Sequence, residues 1–368
     1  MRRRVPLKRL ASGLAAIVLI AGPVAAKEPA PAGAVPSQQD LQQLVDETHA
    51  RLKGVAGTMD LQKLVDSAHA RYKDLKEGNN ADYIPILATI PSELFGIVIA
   101  TRDGSLYAAG DVDYRFAIES TAKPFTASLV MQQYGGPEAI RDKIGVEPTG
   151  LPFNSKIALE ILDERSVNPM VNAGAIAAVS MVKANDEAER WHMVSGNLND
   201  YAAAQLPLLD DVYKSEYETS WSNRGIANLL YNYQRLYCDP EEALRVYTKQ
   251  SSVGVTTREL AMMGATLANG GVNPKTGKRL LDQKHVPELL ALMMTAGFYD
   301  ESGQWAYTAG LPSKTGVGGG IVSVVPGKLA IAAFSPRLNE AGNSVRAQNA
   351  IRYIAGQLGV GIFGANPE

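Results

Sequence analysis

Gly310-Leu-Pro-Ser-Lys-Thr-Gly-Val-Gly-Gly-Gly-Ile-Val-Ser-Val-Val-Pro-Gly-Lys-Leu-Ala-Ile-Ala-Ala-Phe334 is the stretch whose reading decides the fold. Ile321–Val325 and Leu329–Phe334 are apolar and rich in β-branched residues, and Pro326-Gly327 between them is turn chemistry, so the stretch predicts a β-hairpin. The glycine run ahead of it leaves backbone uncovered for a ligand to approach, directly after Lys314-Thr315-Gly316. The same grammar recurs far upstream, where Leu94–Thr101 and Leu106–Ala109 flank Asp103-Gly104. Between the hairpins, Ala173–Lys183, Ile226–Tyr237, Arg258–Ala268 and Pro287–Thr295 have helical apolar periodicity. Hairpins at both ends with helices between them predict an α+β fold: an antiparallel sheet assembled from distant segments and flanked by helices, plus a helical subdomain. Ser344–Leu358 is expected as a helix covering the sheet.

Working outward, the 368-residue chain is 46% hydrophobic and 20% charged, an ordinary globular composition able to bury a full core. Arg2, Arg3, Arg4, Lys8 and Arg9 precede the apolar run Leu10–Ala21, and Val24-Ala25-Ala26 has small-residue cleavage spacing. Residues 1–26 are expected to be a removed export signal, making the protein periplasmic or secreted, with no membrane attachment after cleavage. The export route is open. Cleavage removes five cations and no carboxylates, so 36 cations against 38 carboxylates become 31 against 38, a net charge of −7. A mature chain that acidic is not expected to bind nucleic acid. Cys238 is the only cysteine, which leaves no intramolecular disulfide, and the four histidines never fall in ligand spacing. No metal and no cofactor are expected.

Residues 27–39 are rich in Pro, Ala and Gln and read as a leader. Asp40-Leu-Gln-Gln-Leu-Val-Asp-Glu-Thr-His-Ala-Arg51 then recurs as Asp60-Leu-Gln-Lys-Leu-Val-Asp-Ser-Ala-His-Ala-Arg71. Two copies are too few for a solenoid; they are expected as two amphipathic helices with His49 and His69 in equivalent solvated positions. The expected organisation is a signal at 1–26, a leader and extra helix at 27–58, and a catalytic domain at 59–368. The sheet of that domain would come from about 90–118 and 305–368.

Ser120-Thr121-Ala122-Lys123 opens the helical stretch Ala122–Tyr134, so the Ser120 hydroxyl is expected at a helix N-terminus, where exposed N–H groups favour developing negative charge. A Ser-x-x-Lys on a helix and a Lys-Thr-Gly on a strand are the two halves of the acyl-transfer site in penicillin-recognising enzymes. Ser180-Met181-Val182-Lys183 and Lys275-Thr276-Gly277 fit the same two patterns. Ser180, however, sits inside an apolar run, as a buried helix serine does, and Lys275 follows the turn-forming Asn269-Gly-Gly-Val-Asn-Pro274. Ser120 and Lys314 make the better pair.

Longer motifs add to this: Glu147-Pro-Thr-Gly-Leu-Pro-Phe-Asn154-Ser155, Asn168-Pro-Met-Val-Asn172-Ala-Gly-Ala175, Leu267-Ala-Asn-Gly-Gly-Val-Asn-Pro274, Gly310–Ile321 and Gly342-Asn-Ser-Val345. Together they resemble the serine-dependent glutaminase family over roughly residues 60 to 360. The resemblance implies a β-lactamase/transpeptidase-like fold and hydrolysis of L-glutamine to L-glutamate and ammonia through a Ser-Lys acyl-enzyme. It puts the nucleophile at Ser120 and its base at Lys123, with Lys314 in support. Substrate contacts would fall on Asn172, Glu216, Asn223, Tyr247, Tyr299 and the Val317 backbone, with Tyr247 or Tyr299 relaying the leaving-group proton or holding the α-carboxylate. It also implies a dimer or tetramer.

The residues agree with that chemistry. Ser120 and Lys123 are three apart on a helix and share a face, and a lysine desolvated beside Lys314 can lose its proton near neutral pH. If Ser215–Asn228 is one helix, Glu216 and Asn223 point from one face and suit an α-ammonium and an α-carboxylate. Ser120 and Val317 would offer backbone N–H groups to the oxyanion. Glu119, Thr149 and Thr315 depart from the family pattern, which usually has Gln, Ser and Ser there, and the Glu119 charge bears on the pH optimum. Two other readings stand beside this one. A β-lactam-hydrolysing or peptidoglycan-trimming enzyme would be labelled by a fluorescent penicillin; an exported glutamine-binding sensor would bind glutamine tightly and release no ammonia.

Overall fold

The computed structural model describes residues 60–161 and 166–364. The expected signal at 1–26, the leader and first repeat copy at 27–58, and His49 lie outside the described residues. Asp60 is an N-cap, accepting from the Gln62 and Lys63 amides at 3.1 and 3.2 Å, and starts helix α1 (Leu61–Tyr72). Leu64, Val65 and Ala68 form its buried stripe. His69 is not in the solvated position expected of it. It adjoins that stripe, is half-buried, and stacks on Phe95 at 5.0 Å between ring centroids.

After α1 come strands β1 (Gly96–Thr101), β2 (Leu106–Gly110) and β3 (Phe116–Ala117). The helical part follows: α2 (Lys123–Tyr134), α3 (Asn172–Met181), α4 (Glu187–Ala202), α5 (Asp210–Thr219), α6 (Trp221–Asn232), α7 (Pro240–Ser251), strand β4 (Gly254–Val255), α8 (Thr257–Ala268) and α9 (Val286–Ala296). The chain returns through β5 (Ser313–Thr315), β6 (Gly320–Val325), β7 (Leu329–Phe334) and α10 (Val345–Leu358).

Both expected hairpins form, and they join into one five-stranded antiparallel sheet ordered β2-β1-β7-β6-β5. In the second hairpin Gly327 has φ +74°, the left-handed conformation that a Pro-Gly turn supplies. Period-two alternation sends Ile97, Ile99, Ile321, Ile331 and Ala333 toward α1 and α10, and Val98, Val322, Val324, Ala330 and Ala332 toward α8. Both faces are therefore covered, which is why these strands read as apolar runs without polar alternation. Helix α8 lies directly on the sheet at Gly264: a Cβ there would stand 2.7 Å from the Ala330 Cβ and the Val322 Cγ2.

The helical part is built around α3, buried along its whole length from Asn172 to Met181 and surrounded by α2, α6 and α7. Two expectations are corrected here. The helix expected over Ile226–Tyr237 spans Trp221–Asn232 and stops before Gln234, whose φ is +57°. The single helix expected over Ser215–Asn228 is two, α5 and α6, broken at Ser220. Hydroxyls there compete for helix carbonyls: Ser220 Oγ donates to Tyr217 O at 2.8 Å and Thr219 Oγ1 to Ser215 O at 2.9 Å. A further ladder, β3 against β4, ties the segment just before Ser120 to the segment just after α7. The strand edge, the start of α2 and the start of α3 all meet at one seam.

Candidate active site

Ser120 lies in a 3-10 turn, Glu119–Ala122, that runs straight into α2. Thr121 Oγ1 holds the turn by donating to Ile118 O at 2.5 Å, and Glu119 just before the serine takes φ +49°, a left-handed conformation that costs a non-glycine residue energy. One helical turn on, Lys123 is wholly buried, and its Nζ is 2.6 Å from Ser120 Oγ and 2.9 Å from Asn172 Oδ1. Asn172, the first residue of α3, passes the network on: its Nδ2 donates to Asn223 Oδ1 at 2.9 Å, and its Oδ1 accepts from the Tyr247 hydroxyl at 3.1 Å. The seam thus links α2, α3, α6 and α7 through side chains alone.

A cavity of about 80 Å³ lies over this network, lined by Ser120, Asn172, Glu216, Asn223, Tyr247 and Val317. The break at Ser220 does not separate Glu216 from Asn223; both still face the cavity. Tyr299 and Lys314 sit behind it. Tyr299 OH donates to Thr315 O at 3.2 Å and also interacts with Ser120, while Lys314 Nζ donates to Gly297 O and Thr315 O and lies 4.0 Å from the Tyr299 ring centroid. Lys314 thus buttresses Tyr299 and Thr315, and Lys123 is the lysine at the serine.

Gly316 brings the strand edge onto the nucleophile. A Cβ there would be 3.2 Å from Ser120 N, Thr121 N and Ile118 O, so any side chain would press on the turn. The loop beyond it is shaped by Gly316 N to Gly320 O and Gly319 N to Gly316 O bonds, both 2.9 Å, while among the described residues no backbone carbonyl accepts from Val317 N. Val317 therefore has an N–H to offer where it lines the cavity beside Ser120.

Burial sets the protonation of this cluster. It pushes the Lys123 ammonium down to about 7, opposed by the charges of Glu119 and Glu216. Burial lifts the Glu119 carboxyl to about 8, with Lys123 pulling the other way. Glu216 is held well above the usual carboxylate range by burial and then by Glu119. Lys314 is held well below the usual lysine range by burial and then by the charge of Lys123. A neutral lysine amine 2.6 Å from a serine hydroxyl can take its proton at neutral pH.

Sequence reasoning missed Tyr83, Phe153, Asn154 and Ser222, which also line the cavity. Phe153 and Asn154 lay in a quoted motif without a role; Tyr83 precedes an ordinary Ile84-Pro85 helix start and carried no signal. Glu119 was noted only as a departure. A wider cleft of about 670 Å³ shares Tyr83, Phe153 and Val317 with the cavity and leads outward. A more spacious cleft, about 850 Å³ beside α9, holds none of the predicted site residues, so the small cavity that gathers them is the functional candidate.

The sequence model of the glutaminase family matches residues 78–363. Glutaminase 1 of Escherichia coli K12 is 52% identical over 323 residues, 88% of this chain and 97% of that protein. Solved structures share the fold, these two among them. One, a probable glutaminase, is 51% identical with a TM-score of 0.81, covering 82% of this chain and 98% of the other. The second is a Bacillus subtilis glutaminase in covalent complex with 5-oxo-L-norleucine, formed by reaction with 6-diazo-5-oxo-L-norleucine; it is 28% identical with a TM-score of 0.73, covering 83% and 99%.

Proposed function

The chain belongs to the glutaminase family, whose fold is β-lactamase-like, and is an amidohydrolase acting on glutamine; from that premise we propose that it works through a γ-glutamyl ester on Ser120. Neutral Lys123 takes the proton of Ser120 Oγ as the oxygen attacks the side-chain carboxamide carbon. The oxyanion is held by the backbone N–H groups of Ser120 and Val317, each such donor contributing ~10² to 10³ in turnover. The C–N bond breaks, ammonia leaves with a proton returned from Lys123 by way of Tyr247, and water then attacks the ester to give L-glutamate and restore the serine. Glu216 and Asn223 hold the α-ammonium and α-carboxylate, which selects free glutamine.

The observation that carries this reading is Lys123 Nζ at 2.6 Å from Ser120 Oγ, buried and shifted to about 7. The covalent complex of the Bacillus subtilis relative supports it, because that reagent carries its carbonyl where glutamine carries its amide. Export with cleavage after Ala26 and assembly into a dimer or tetramer belong to the same proposal; N-terminal sequencing of the mature chain is expected to begin at Lys27.

The test is ammonia release by the purified chain from L-glutamine, L-asparagine and D-glutamine, with Ser120→Ala and Lys123→Ala alongside. L-Glutamine-selective release abolished by Ser120→Ala and strongly reduced by Lys123→Ala is expected. Release untouched by Ser120→Ala overturns the mechanism.

A further inference from the structure

The carboxyl group next to the nucleophile has no part in the scheme above, yet its placement is unusual. Glu119 is 3% exposed, lines the same cavity as Ser120 and Glu216, and has one oxygen, Oε1, without a hydrogen-bond partner among the described residues. Its stem passes under the glycine loop that carries Val317: a Cβ on Gly318 would stand 3.2 Å from Glu119 Cγ and 2.5 Å from Ala117 O. The backbone at Glu119 is left-handed, with φ +49°, a conformation that costs a non-glycine residue energy. A carboxyl buried on a left-handed backbone, with an oxygen lacking a hydrogen-bond partner, carries a cost that packing alone does not explain.

The enclosed charges can be counted. Glu119 and Glu216 face one ammonium, that of Lys123, and both carboxyls also act on the Tyr247 and Tyr83 hydroxyls. Tyr299 also feels Glu119, and Lys314, from β5, feels Lys123 as a like charge. Only one carboxylate can be balanced by Lys123 in a site this dry. Resting on the proposed mechanism, Glu216 is committed to the α-ammonium of the substrate. That leaves the carboxyl covalently adjacent to Ser120 for the lysine.

We propose that Glu119 is the counter-charge of Lys123, a positioning residue whose own proton governs how readily Lys123 takes the proton of Ser120. With Glu119 ionised, the lysine holds its proton to higher pH and less of it is present as free amine; the same charge steadies the ammonium that forms during attack. With Glu119 protonated, the lysine is freed. The expectation for Glu119→Gln follows from the sign of that interaction. Without the negative charge Lys123 deprotonates at lower pH, so the acidic limb of kcat/KM moves down by up to about one pH unit, the upper bound being the shift that a fully ionised neighbour of opposite charge produces. The plateau rate falls as well, because the ammonium formed in the transition state has lost its partner, while KM for L-glutamine changes little.

The experiment is the pH profile of kcat/KM and of KM for the full chain, its Glu119→Gln and Glu119→Asp variants, and Lys123→Ala, each shown to be folded by its melting transition. A lowered limb in Glu119→Gln, recovered in part by Glu119→Asp, supports the proposal. A limb that stays in place while the rate drops evenly makes Glu119 merely structural and overturns it. So does a limb that stays in place while KM climbs about tenfold, the size expected when a substrate contact worth ~1.4 kcal/mol is lost. Lys123→Ala separates the two layers of argument: full activity in that variant defeats the Ser-Lys mechanism itself, whereas loss of activity with an unmoved Glu119→Gln limb defeats only the role of Glu119.

Discussion

The chain contains two Ser-x-x-Lys sequences and two Lys-Thr-Gly sequences, and only one of each is built into a site. Lys123 reaches back to Ser120 Oγ from a buried position. In the second copy Ser180 Oγ donates to Ala177 O at 2.6 Å and accepts from Tyr237 N at 3.1 Å, while exposed Lys183 donates to Gln133 O and covers the Tyr134 ring. Spacing is the same, but Ser120 precedes the first turn of α2 and Ser180 ends α3. A serine late in a helix finds a preceding carbonyl; a serine ahead of one does not. Likewise Lys314-Thr315-Gly316 is an edge strand against the nucleophile, whereas the amides of Lys275 and Thr276 cap the Asn273 side chain at 3.0 and 3.1 Å in a surface turn. A short motif has chemical meaning only with its place on the element and its degree of desolvation.

Substitutions made in pairs break or sharpen that contrast. The largest effect is expected at the serines: Ser120→Ala abolishes ammonia release, while Ser180→Ala leaves the rate near wild type and lowers stability by about 1 kcal/mol in chemical denaturation. At the lysines, Lys123→Ala lowers kcat by ~10² to 10⁴, the range of general-base assistance, and Lys183→Ala changes nothing measurable. The wild-type kcat/KM should rise with pH through about 7, because the base is the neutral form of Lys123, and Lys183→Ala should share that profile. At the glycines, Gly316→Ala displaces the oxyanion donors and lowers kcat by ~10². Gly277→Ala, at φ +71° with open space around it, costs about 1 kcal/mol of stability and no activity.

A separate effect, on stability and not on rate, is expected in the thermal transition of Glu119→Gln. Folding raises the Glu119 carboxyl from 4.5 to about 8, so the folded chain holds the extra proton between those values and loses that stability as pH climbs through the window. The variant is therefore expected to melt above wild type at pH 9, the gap closing by pH 4. A gap that is the same at both pH values contradicts the burial of an ionisable group at this position.

Much of this was legible. Two apolar β-branched runs around Asp103-Gly104 and two around Pro326-Gly327 specify hairpins locally, and the sheet follows from joining them. Ser120 and Lys123 were legible because helix geometry links residues three apart. The break between α5 and α6 was missed because Thr219 and Ser220 are compatible with a helix and end it only through local hydroxyl bonds. The two-residue ladder of Phe116–Ala117 with Gly254–Val255 is too short to leave a pattern. Tyr83 and the inward turn of Glu119 depend on segments far apart in sequence meeting at the seam, which no window of neighbours encodes.

The central claim is that Ser120, not Ser180, forms the covalent bond. We would treat the full chain, Ser120→Ala and Ser180→Ala with 6-diazo-5-oxo-L-norleucine and map the adduct by peptide mass spectrometry. The account predicts one adduct on the peptide containing Ser120 in the wild-type and Ser180→Ala proteins and none in Ser120→Ala. An adduct on another residue, or an undiminished adduct in Ser120→Ala, would contradict it.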